Sequence, residues 1–402
     1  MRSSNSTFLQ SCDAAARSKA HRKSEAERSM AGNEPRVRSG QVIALRLFDL
    51  AYEIDLRRAE QLWAQRADRA SERSRLAGTP PKAVSFGVPP LALELGPVAI
   101  EIGGSPMTAI ARVRLYDFGV AALALRLPVR DLAWIDFVRL VNVTDQAVGL
   151  AAATAVWDGL LAQLRDLLGE ALDRPTTALL QEDYLIAVVD SFDAPVTAEA
   201  LQERVDLVPL LSGEERPLAE GARRDLLRQR FSYHPDDLAV ITWDRAFLLE
   251  PRRETDVADV LVMANAQLLE MRSYDEMLDD ELPRMRSMVE AARRRTNLLA
   301  ARRYARLAGR LHGLVAEVTE LSERVDNALQ VTEDVYLARV YTAAMELFRV
   351  PAVSAAVDRK LAIVRDTYTA LHGEAAGARA ELLEVAILAL IAVEILLSLV
   401  RH

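Results

Sequence analysis

The side chains that most often perform catalysis are scattered along this 402-residue chain. None of its five histidines is paired with another potential metal ligand at the spacing of a known metal site, such as H-E-x-x-H. No glycine-rich phosphate loop and no G-x-S-x-G nucleophile motif is present. The carboxylate pairs Asp236/Asp237 and Asp279/Asp280 are typical of turns or helix starts, and SYHPDDL around His234 predicts a turn that precedes a strand. We therefore predict that the protein is not an enzyme and holds no cofactor or metal.

A block of arginines is the strongest charged feature. Residues 284–310 contain nine arginines and one acid, whereas residues 256–282 contain eight acids and one base. The basic block could contact RNA, the ribosome or anionic lipid. Alternatively, an acidic helix packs antiparallel against a basic one across a corner at Pro283, which we favour because it explains both blocks. The candidate contact residues are Arg293, Arg294, Arg295, Arg302, Arg303 and Arg306.

The apolar stretch Leu382–Val400 contains two carboxylates. As a helix it would be about 28 Å long, against about 30 Å of bilayer hydrocarbon. Its apolar residues favour insertion by roughly 4–8 kcal/mol, and a charge at the centre costs about 2.5–3.5 kcal/mol. We expect a membrane-spanning helix, with burial in an oligomer as the alternative. The candidate residues of this membrane or oligomer helix are Arg379, Glu384, Ile387, Ile391, Glu394 and Ser398.

Composition favours helix over sheet and limits the classes of partner. Hydrophobic residues make up 50% of the chain, aromatic residues only 5%, and the formal net charge is −8, which excludes a general polyanion binder. A single cysteine, Cys12, excludes an intrachain disulfide. We predict a disordered basic head at 1–40, an α+β domain at 41–252, a long-helix stalk at 253–378 and a transmembrane-like helix at 379–402.

The elements expected within the α+β domain follow from apolar periodicity. A helical pattern covers about 41–73, and short strands with tight turns follow, including a hairpin near Asp117–Gly119. The remaining predictions are helices within about 131–172, a buried strand at 184–192, helices at about 197–211 and 216–231, and a hairpin turning at Asp244–Arg245. The fold class is α+β with a mainly antiparallel sheet.

In the stalk, three long helices are expected. The first starts at Thr255/Asp256, the second runs from about 284 to 348 after a corner at Pro283, and the third runs from about 353 to 399 after Pro351. Helices of this length need partners, so we predict coiled-coil-like packing and a homo-oligomer.

The end of the sequence resembles a known family. RAELLEVAILALIAVEIL, residues 379–396, is similar to the terminal signature of the required-for-meiotic-nuclear-division / Sad1-interacting-factor family, and 357–371 resembles the preceding helix. RLYDFGVAALAL (114–125) resembles an early strand of that family, but its Phe-Trp element is replaced by FRVPAVSAAV. The resemblance implies a distant, bacterial branch with an α+β domain, long helices, one membrane span and self-association. Eukaryotic members include mitochondrial membrane-associated proteins that support translation, and the resemblance supplies no catalytic residues.

The sequence thus predicts a tail-anchored, oligomeric scaffold or tether, with its bulk on the cytoplasmic side of a membrane, or facing the matrix if mitochondrial. The alternative is a soluble RNA- or ribosome-binding protein that uses the arginines of 284–310 and buries its last helix in an oligomer.

Overall fold

The computed structural model describes residues 35–400, except 67–70, 74–83, 153–154, 177–179, 215, 254–255, 294–299 and 332–335. Residues 1–34 of the predicted basic head therefore lie outside the described part of the chain. Residues 36–40 of that predicted segment belong to the first strand. The strands are β1 Arg36–Asp49, β2 Ala51–Ile54, β3 Ser71–Arg73, β4 Val84–Phe86, β5 Leu91–Ile102, β6 Ser105–Leu115, β7 Val120–Ala133, β8 Leu172–Pro175, β9 Gln181–Phe192, β10 Arg230–Phe231, β11 Leu238–Ile241, β12 Arg245–Leu249 and β13 Leu329–Val331.

Nine of these strands form one sheet in the order β10-β11-β12-β9-β1-β7-β6-β5-β3. Every neighbouring pair is antiparallel except β12 and β9, which are parallel. Two small antiparallel pairs, β2 with β8 and β4 with β13, lie outside this sheet. The predicted α+β class with a mainly antiparallel sheet is confirmed.

The helices follow in two groups. Those that interrupt the sheet are α1 Leu56–Arg66, α2 Trp134–Val148, α3 Ala155–Leu168, α4 Ala198–Arg204, α5 Val208–Ser212 and α6 Glu220–Leu226. Those that follow the sheet are α7 Asp256–Arg293, α8 Ala300–Asp326, α9 Tyr336–Leu347 and α10 Val350–Val400.

Helices cover both faces of the sheet. In β1, Ile43 and Leu45 belong to the apolar core shared with α7–α10, whereas Val42 and Ala44 belong to the core shared with α1–α5. This alternation is what a pleated strand imposes, since successive side chains point to opposite faces. The inner stretches of the central strands, residues 42–48 of β1, 120–125 of β7 and 184–189 of β9, are therefore mostly apolar.

The two-sided burial of β1 overrides the helical pattern predicted over 41–73. A helix was expected over 41–73, but the chain forms the long strand β1, the short β2 and only then the helix α1. A strand buried on both faces gives a continuous apolar run, which periodicity cannot distinguish from a buried helix. Pairing with β7 and β9 on its two edges holds this run extended.

The stalk also differs from the prediction at Pro283. This residue lies inside α7, not at a corner between two helices. Proline removes the N–H that would bond to the carbonyl of residue 279, and Asp279 is exposed, so water can satisfy that carbonyl. The predicted antiparallel packing across a Pro283 corner is consequently wrong. The expected helix over 284–348 is also wrong, because α8 ends at Asp326 and β13 pairs with β4.

Other predicted elements are confirmed. The hairpin at Asp117–Gly119 joins β6 to β7, and the strand predicted at 184–192 is β9, which begins three residues earlier. The hairpin near Asp244 joins β11 to β12, and a new helix starts beside Pro351. The helices expected at 197–211 and 216–231 are shorter, as α4, α5 and α6.

The turn between β6 and β7 requires a glycine. Gly119 has φ +98°, and a Cβ there would lie 1.8 Å from the carbonyl oxygen of Ala51. Its own carbonyl accepts a hydrogen bond from the Leu50 N–H at 3.0 Å, which fixes the end of β1 against the hairpin. Gly104, in the turn between β5 and β6, has φ +76°, but a Cβ added there would meet no atom within 4 Å.

We expect Gly119→Ala to lower the free energy of unfolding by about 3 kcal/mol or more, because backbone strain and a clash with a backbone oxygen add. Gly104→Ala is the matched control and should cost about 1–2 kcal/mol, from the left-handed backbone alone. Chemical denaturation of both variants measures the difference. Equal losses would show that the contact with Ala51 does not constrain the turn.

Candidate functional site

The last helix, α10, divides into two parts with opposite environments. Its first part packs on α7 and α8 through apolar residues three or four positions apart, including Val357, Leu361 and Val364. In the same region the Lys360 ammonium lies 2.6 Å from Asp275 and 2.7 Å from Asp279 of α7. This part of α10 is therefore anchored within the helical bundle.

The second part of α10 is exposed all round. Every residue from 383 to 398 is solvent-exposed, although most of them are apolar. The exposed fraction reaches 70% at Leu390 and is still 47% at Ile391. At 1.5 Å per residue these sixteen positions extend about 24 Å. A helix that is apolar around its whole circumference is normally buried, in protein or in lipid.

Five of the predicted helix residues lie close together on this segment. With 3.6 residues per turn, Glu384, Ile387, Ile391, Glu394 and Ser398 fall within an arc of about 80°. The structure shows all five exposed. Both carboxylates thus share one narrow face, and the rest of the circumference is apolar. Arg379 lies on the same helix, with its side chain outside the described part.

Within the part of the chain that the structure describes, no single helix is long and apolar enough to cross a membrane by itself. The bent pair Tyr336–Leu347 and Val350–Glu374, with 60° between its arms, could do so by length and composition alone.

The predicted arginine contacts are only partly visible. Arg306 is exposed on α8, while Arg302 and Arg303 lie on its first turn and Arg293 ends α7. The side chains of these last three, and the whole of Arg294 and Arg295, lie outside the described residues.

The acids of α7 pair with several elements. Arg284 lies 2.6 Å from Glu281 on the same helix. Asp259 pairs with Arg114 of β6, and Asp275 and Asp279 pair with Lys360. Asp279 therefore lies inside a helix, not at a turn or helix start as expected.

The turn predicted around His234 is confirmed. The Asp237 carboxylate accepts hydrogen bonds from the backbone N–H groups of Tyr233 at 2.7 Å and His234 at 3.0 Å. β11 begins at the next residue, Leu238. Among the described residues, no group of three or more His, Cys, Asp or Glu side chains is arranged to hold a metal.

A buried polar stripe joins α7 to its neighbours. The Gln267 side chain donates to the Val325 carbonyl at the end of α8, at 2.7 Å, and accepts from the Tyr341 hydroxyl of α9, at 2.5 Å. Buried hydrogen bonds of this kind fix the register of packed helices, because any shift would leave the polar groups unpaired.

Glu270, one turn further along α7, is buried at 3% exposure. Burial raises its pKa well above the ordinary value, and the charge of Asp49 at the end of β1 adds to the effect. Burial also raises the pKa of Asp49, although this carboxylate accepts a hydrogen bond from the Ser273 hydroxyl at 2.5 Å. The interface between sheet and α7 therefore favours protonated carboxyls.

One charged cluster of the structure was not predicted from the sequence. Arg112 and Arg114 of β6 and Arg126 of β7 converge beside Asp259, around a cavity on the α7 side of the sheet. The signal was present in ARVRL and LALRLPV, where arginines occupy inward positions of apolar strands. Assigning those arginines to one face and one cavity required the strand register.

The fold defines the class of the protein: an α+β sheet covered on both faces by helices, followed by a bundle of long helices. Residues 39–256 match the family described as "Uncharacterized protein MJ0711, N-terminal domain". This match covers more than half of the chain, which therefore belongs to that family. It extends from β1 to the first residue of α7, so it contains the sheet and not the long helices.

A search of curated proteins found similarity to "Uncharacterized protein MJ0711" of Methanocaldococcus jannaschii. The two sequences are 24% identical over 196 residues, which is 48% of this chain and 59% of that protein. The chain thus matches less than two thirds of its relative's length. No solved structure matches the chain. The resemblance of residues 379–396 to the required-for-meiotic-nuclear-division / Sad1-interacting-factor family stays a prediction, because the family match ends at residue 256.

The protonation of Glu270 gives a test of the interface. We expect Glu270→Gln to be more stable than the wild type at pH 8 and equal to it near pH 4, since glutamine mimics the neutral carboxyl. In the wild type, the protonated Glu270 contributes its full stabilisation below the unfolded-state pKa of about 4.3. This contribution is lost as the pH rises from there to the raised pKa of the folded state. The difference in unfolding free energy should grow by about 1.4 kcal/mol per pH unit while folded Glu270 stays protonated.

Denaturant unfolding between pH 4 and pH 8 provides the measurement. Glu276→Gln is the control, because Glu276 lies on α7 but is exposed. A pH-independent difference for Glu270→Gln would contradict the assignment of a neutral buried carboxyl.

Proposed function

We propose that this protein is a membrane-anchored, self-associating scaffold. In this proposal the sheet and its helices form a folded head, the bundle of α7, α8 and α10 forms a connector, and the exposed end of α10 enters the bilayer. The observation that carries the proposal is the apolar surface of residues 383–398, which no other described part of the chain covers.

Exposure on all sides favours lipid over a protein groove as the environment of this segment. A groove on one partner would bury one face of a helix and leave the opposite face in water. Large apolar side chains at Leu388, Leu390, Val393 and Leu396 point in different directions around the axis, and each is at least half exposed. Each such residue contributes roughly 0.3–0.6 kcal/mol to insertion, so the segment gains about 3–6 kcal/mol in lipid.

The shared arc of Glu384 and Glu394 supports self-association. Carboxyl groups that enter a membrane are normally turned away from lipid, towards another helix or a polar cavity. If copies of α10 meet along the Glu384–Ser398 face, both carboxyls point into the contact and the remaining circumference faces lipid. The resemblance of the same residues to a family of membrane-associated proteins is consistent with this arrangement.

Vesicle flotation tests the anchor. We expect the full chain to float with phosphatidylcholine vesicles and Leu390→Glu to lose most of this association, because a charge on the lipid-facing side costs about 2.5–3.5 kcal/mol near the bilayer centre. The matched control is Ile363→Glu, which changes an exposed apolar residue of the same helix within its packed half. This control should float like the wild type.

Removing the two carboxylate charges of the segment should have the opposite effect on vesicle binding. Glu384→Gln/Glu394→Gln should bind vesicles about tenfold more tightly or better, since two charges no longer have to be neutralised or shielded on insertion. The vesicle titration that measures this affinity should be paired with chemical cross-linking of the inserted protein.

Two outcomes would oppose the proposal. The anchor fails if the full chain is monodisperse without any amphiphile and does not bind vesicles, since its last helix must then be covered by protein. Self-association fails if the inserted wild type cross-links no more than a dilute monomeric standard. RNA binding through the arginines of 284–310 stays a prediction, because most of those side chains lie outside the described residues.

A further inference from the structure

A cavity of 280 Å³ lies between the sheet and the start of α7. Its walls combine three arginines, Arg112, Arg114 and Arg126, with one carboxylate, Asp259. The rest of the lining is apolar, and much of it is alanine. The cavity opens at Arg112, whose side chain is 48% exposed, while Arg114 is 15% exposed.

Strand register explains why the arginines converge and why space remains between them. Arg112 and Arg114 are two positions apart on β6, so both point towards α7. Opposite them on β7 stand Ala124 and Ala122, and Arg126 follows two positions further on the same face. These alanines leave the volume that larger apolar side chains would have filled.

Two of the three arginines have carboxylate partners. The Arg114 Nη2 lies 2.7 Å from Asp259 Oδ1, and at the rim the Arg112 Nη2 lies 2.7 Å from Glu94 Oε2. In the part of the chain that the structure describes, Arg126 forms no ion pair. The Nε groups of Arg114 and Arg126 are both buried there without a hydrogen-bond acceptor.

The electrostatics of Arg126 agree with this geometry. Burial and the positive charges of Arg112 and Arg114 together lower the pKa of Arg126 to about 10, against the opposing effect of Asp259 and Glu94. The guanidinium therefore remains charged at neutral pH in a site that disfavours the charge. Arg126 is partly buried, and a cation that is largely removed from water without an ion-pair partner destabilises a fold, so an apolar residue in its place is commonly neutral or stabilising.

We infer that this cavity binds a small ligand that carries a phosphate monoester. Three guanidinium groups face one carboxylate inside the cavity, and the second carboxylate, Glu94, lies half-exposed at the rim against Arg112, so positive charge remains in excess. A phosphate offers three acceptor oxygens to the N–H groups of these arginines, whereas a carboxylate offers two. The planar guanidinium fork matches two phosphate oxygens, and the two orphaned Nε–H groups are donors of the type that phosphate accepts. The inference is independent of the proposed membrane anchor.

The size of the cavity restricts the ligand. Pockets for drug-sized molecules span about 300–1,000 Å³, so 280 Å³ accommodates a phosphate group with a short organic part and not a complete nucleotide-sized molecule. The phosphate could belong to a soluble metabolite or to a lipid headgroup, and the two sources share the same recognition chemistry.

The direct test is isothermal titration of the full chain with inorganic phosphate and with glycerol 3-phosphate, at ionic strength held constant with chloride. We expect saturable binding of both and none of acetate. Arg126→Met should weaken binding about tenfold or more, because a charge-assisted hydrogen-bond partner is lost. Without ligand, the same variant should unfold at an equal or higher temperature than the wild type, which separates a binding role from a structural one.

Arg130→Met is the matched control. Arg130 lies on the same strand and face as Arg126, four residues further on, but it is exposed and outside the cavity. It should keep the wild-type affinity for phosphate. Equal weakening in both variants would indicate general surface charge and overturn the inference.

A lipid arm distinguishes the two sources of phosphate. Flotation compares vesicles of phosphatidylcholine alone with vesicles that also contain phosphatidic acid, and the readout is the difference between the compositions. A preference for phosphatidic acid that Arg126→Met abolishes and Arg130→Met retains assigns a lipid headgroup. Binding of soluble phosphates without that preference assigns a soluble ligand.

The inference is overturned if neither soluble phosphates nor phosphatidic acid bind in an Arg126-dependent manner. That failure is distinguishable from failure of the anchor, because attachment to pure phosphatidylcholine does not involve the cavity.

Discussion

Burial of the central strands on both faces is the constraint from which the rest of the architecture follows. β1 is paired along both edges and contributes apolar side chains to two separate cores. One face is covered by the helices that interrupt the sheet, and the other needs α7. Because α7 continues far beyond the sheet, its free length must be covered in turn by α8 and α10, which produces the helical bundle.

The polar groups at the contact between sheet and α7 determine how the two layers are aligned. Gln267 is hydrogen-bonded to two neighbouring helices, and Asp259 is held by Arg114 of the sheet. Each of these contacts is lost if α7 slides by one turn. Glu270 and Arg126 are different, because burial disfavours their charged forms. A fold selected only for stability would replace both by apolar residues, as buried ionic groups are often no more stabilising than such replacements.

The two parts of α10 are both rich in apolar residues, and they differ in whether other helices cover those residues. Val357, Leu361 and Val364 are apolar and covered, whereas Leu388, Leu390 and Leu396 are equally apolar and exposed. The covered part also contains Lys360, whose ion pairs to Asp275 and Asp279 hold it against α7. The exposed part has only the narrow Glu384–Ser398 face, so no single protein surface would cover it.

The sequence alone determined those features that depend on neighbouring residues. The hairpin at Asp117–Gly119, the strand around Tyr184 and the helix break beside Pro351 follow from turn chemistry and short apolar runs, and they are present in the structure. The apolar character of residues 383–398 and the shared face of Glu384 and Glu394 also follow from sequence and helical geometry.

Only the tertiary structure decided the conformation of β1, the continuation of α7 through Pro283 and the convergence of Arg112, Arg114 and Arg126. In each case the deciding contact joins residues far apart in the chain. An apolar run becomes a strand when two other strands pair with it, and a proline is tolerated where water reaches the freed carbonyl. Arginines of two strands form a site because register places them opposite alanines and beneath a helix that begins about 130 residues after Arg126.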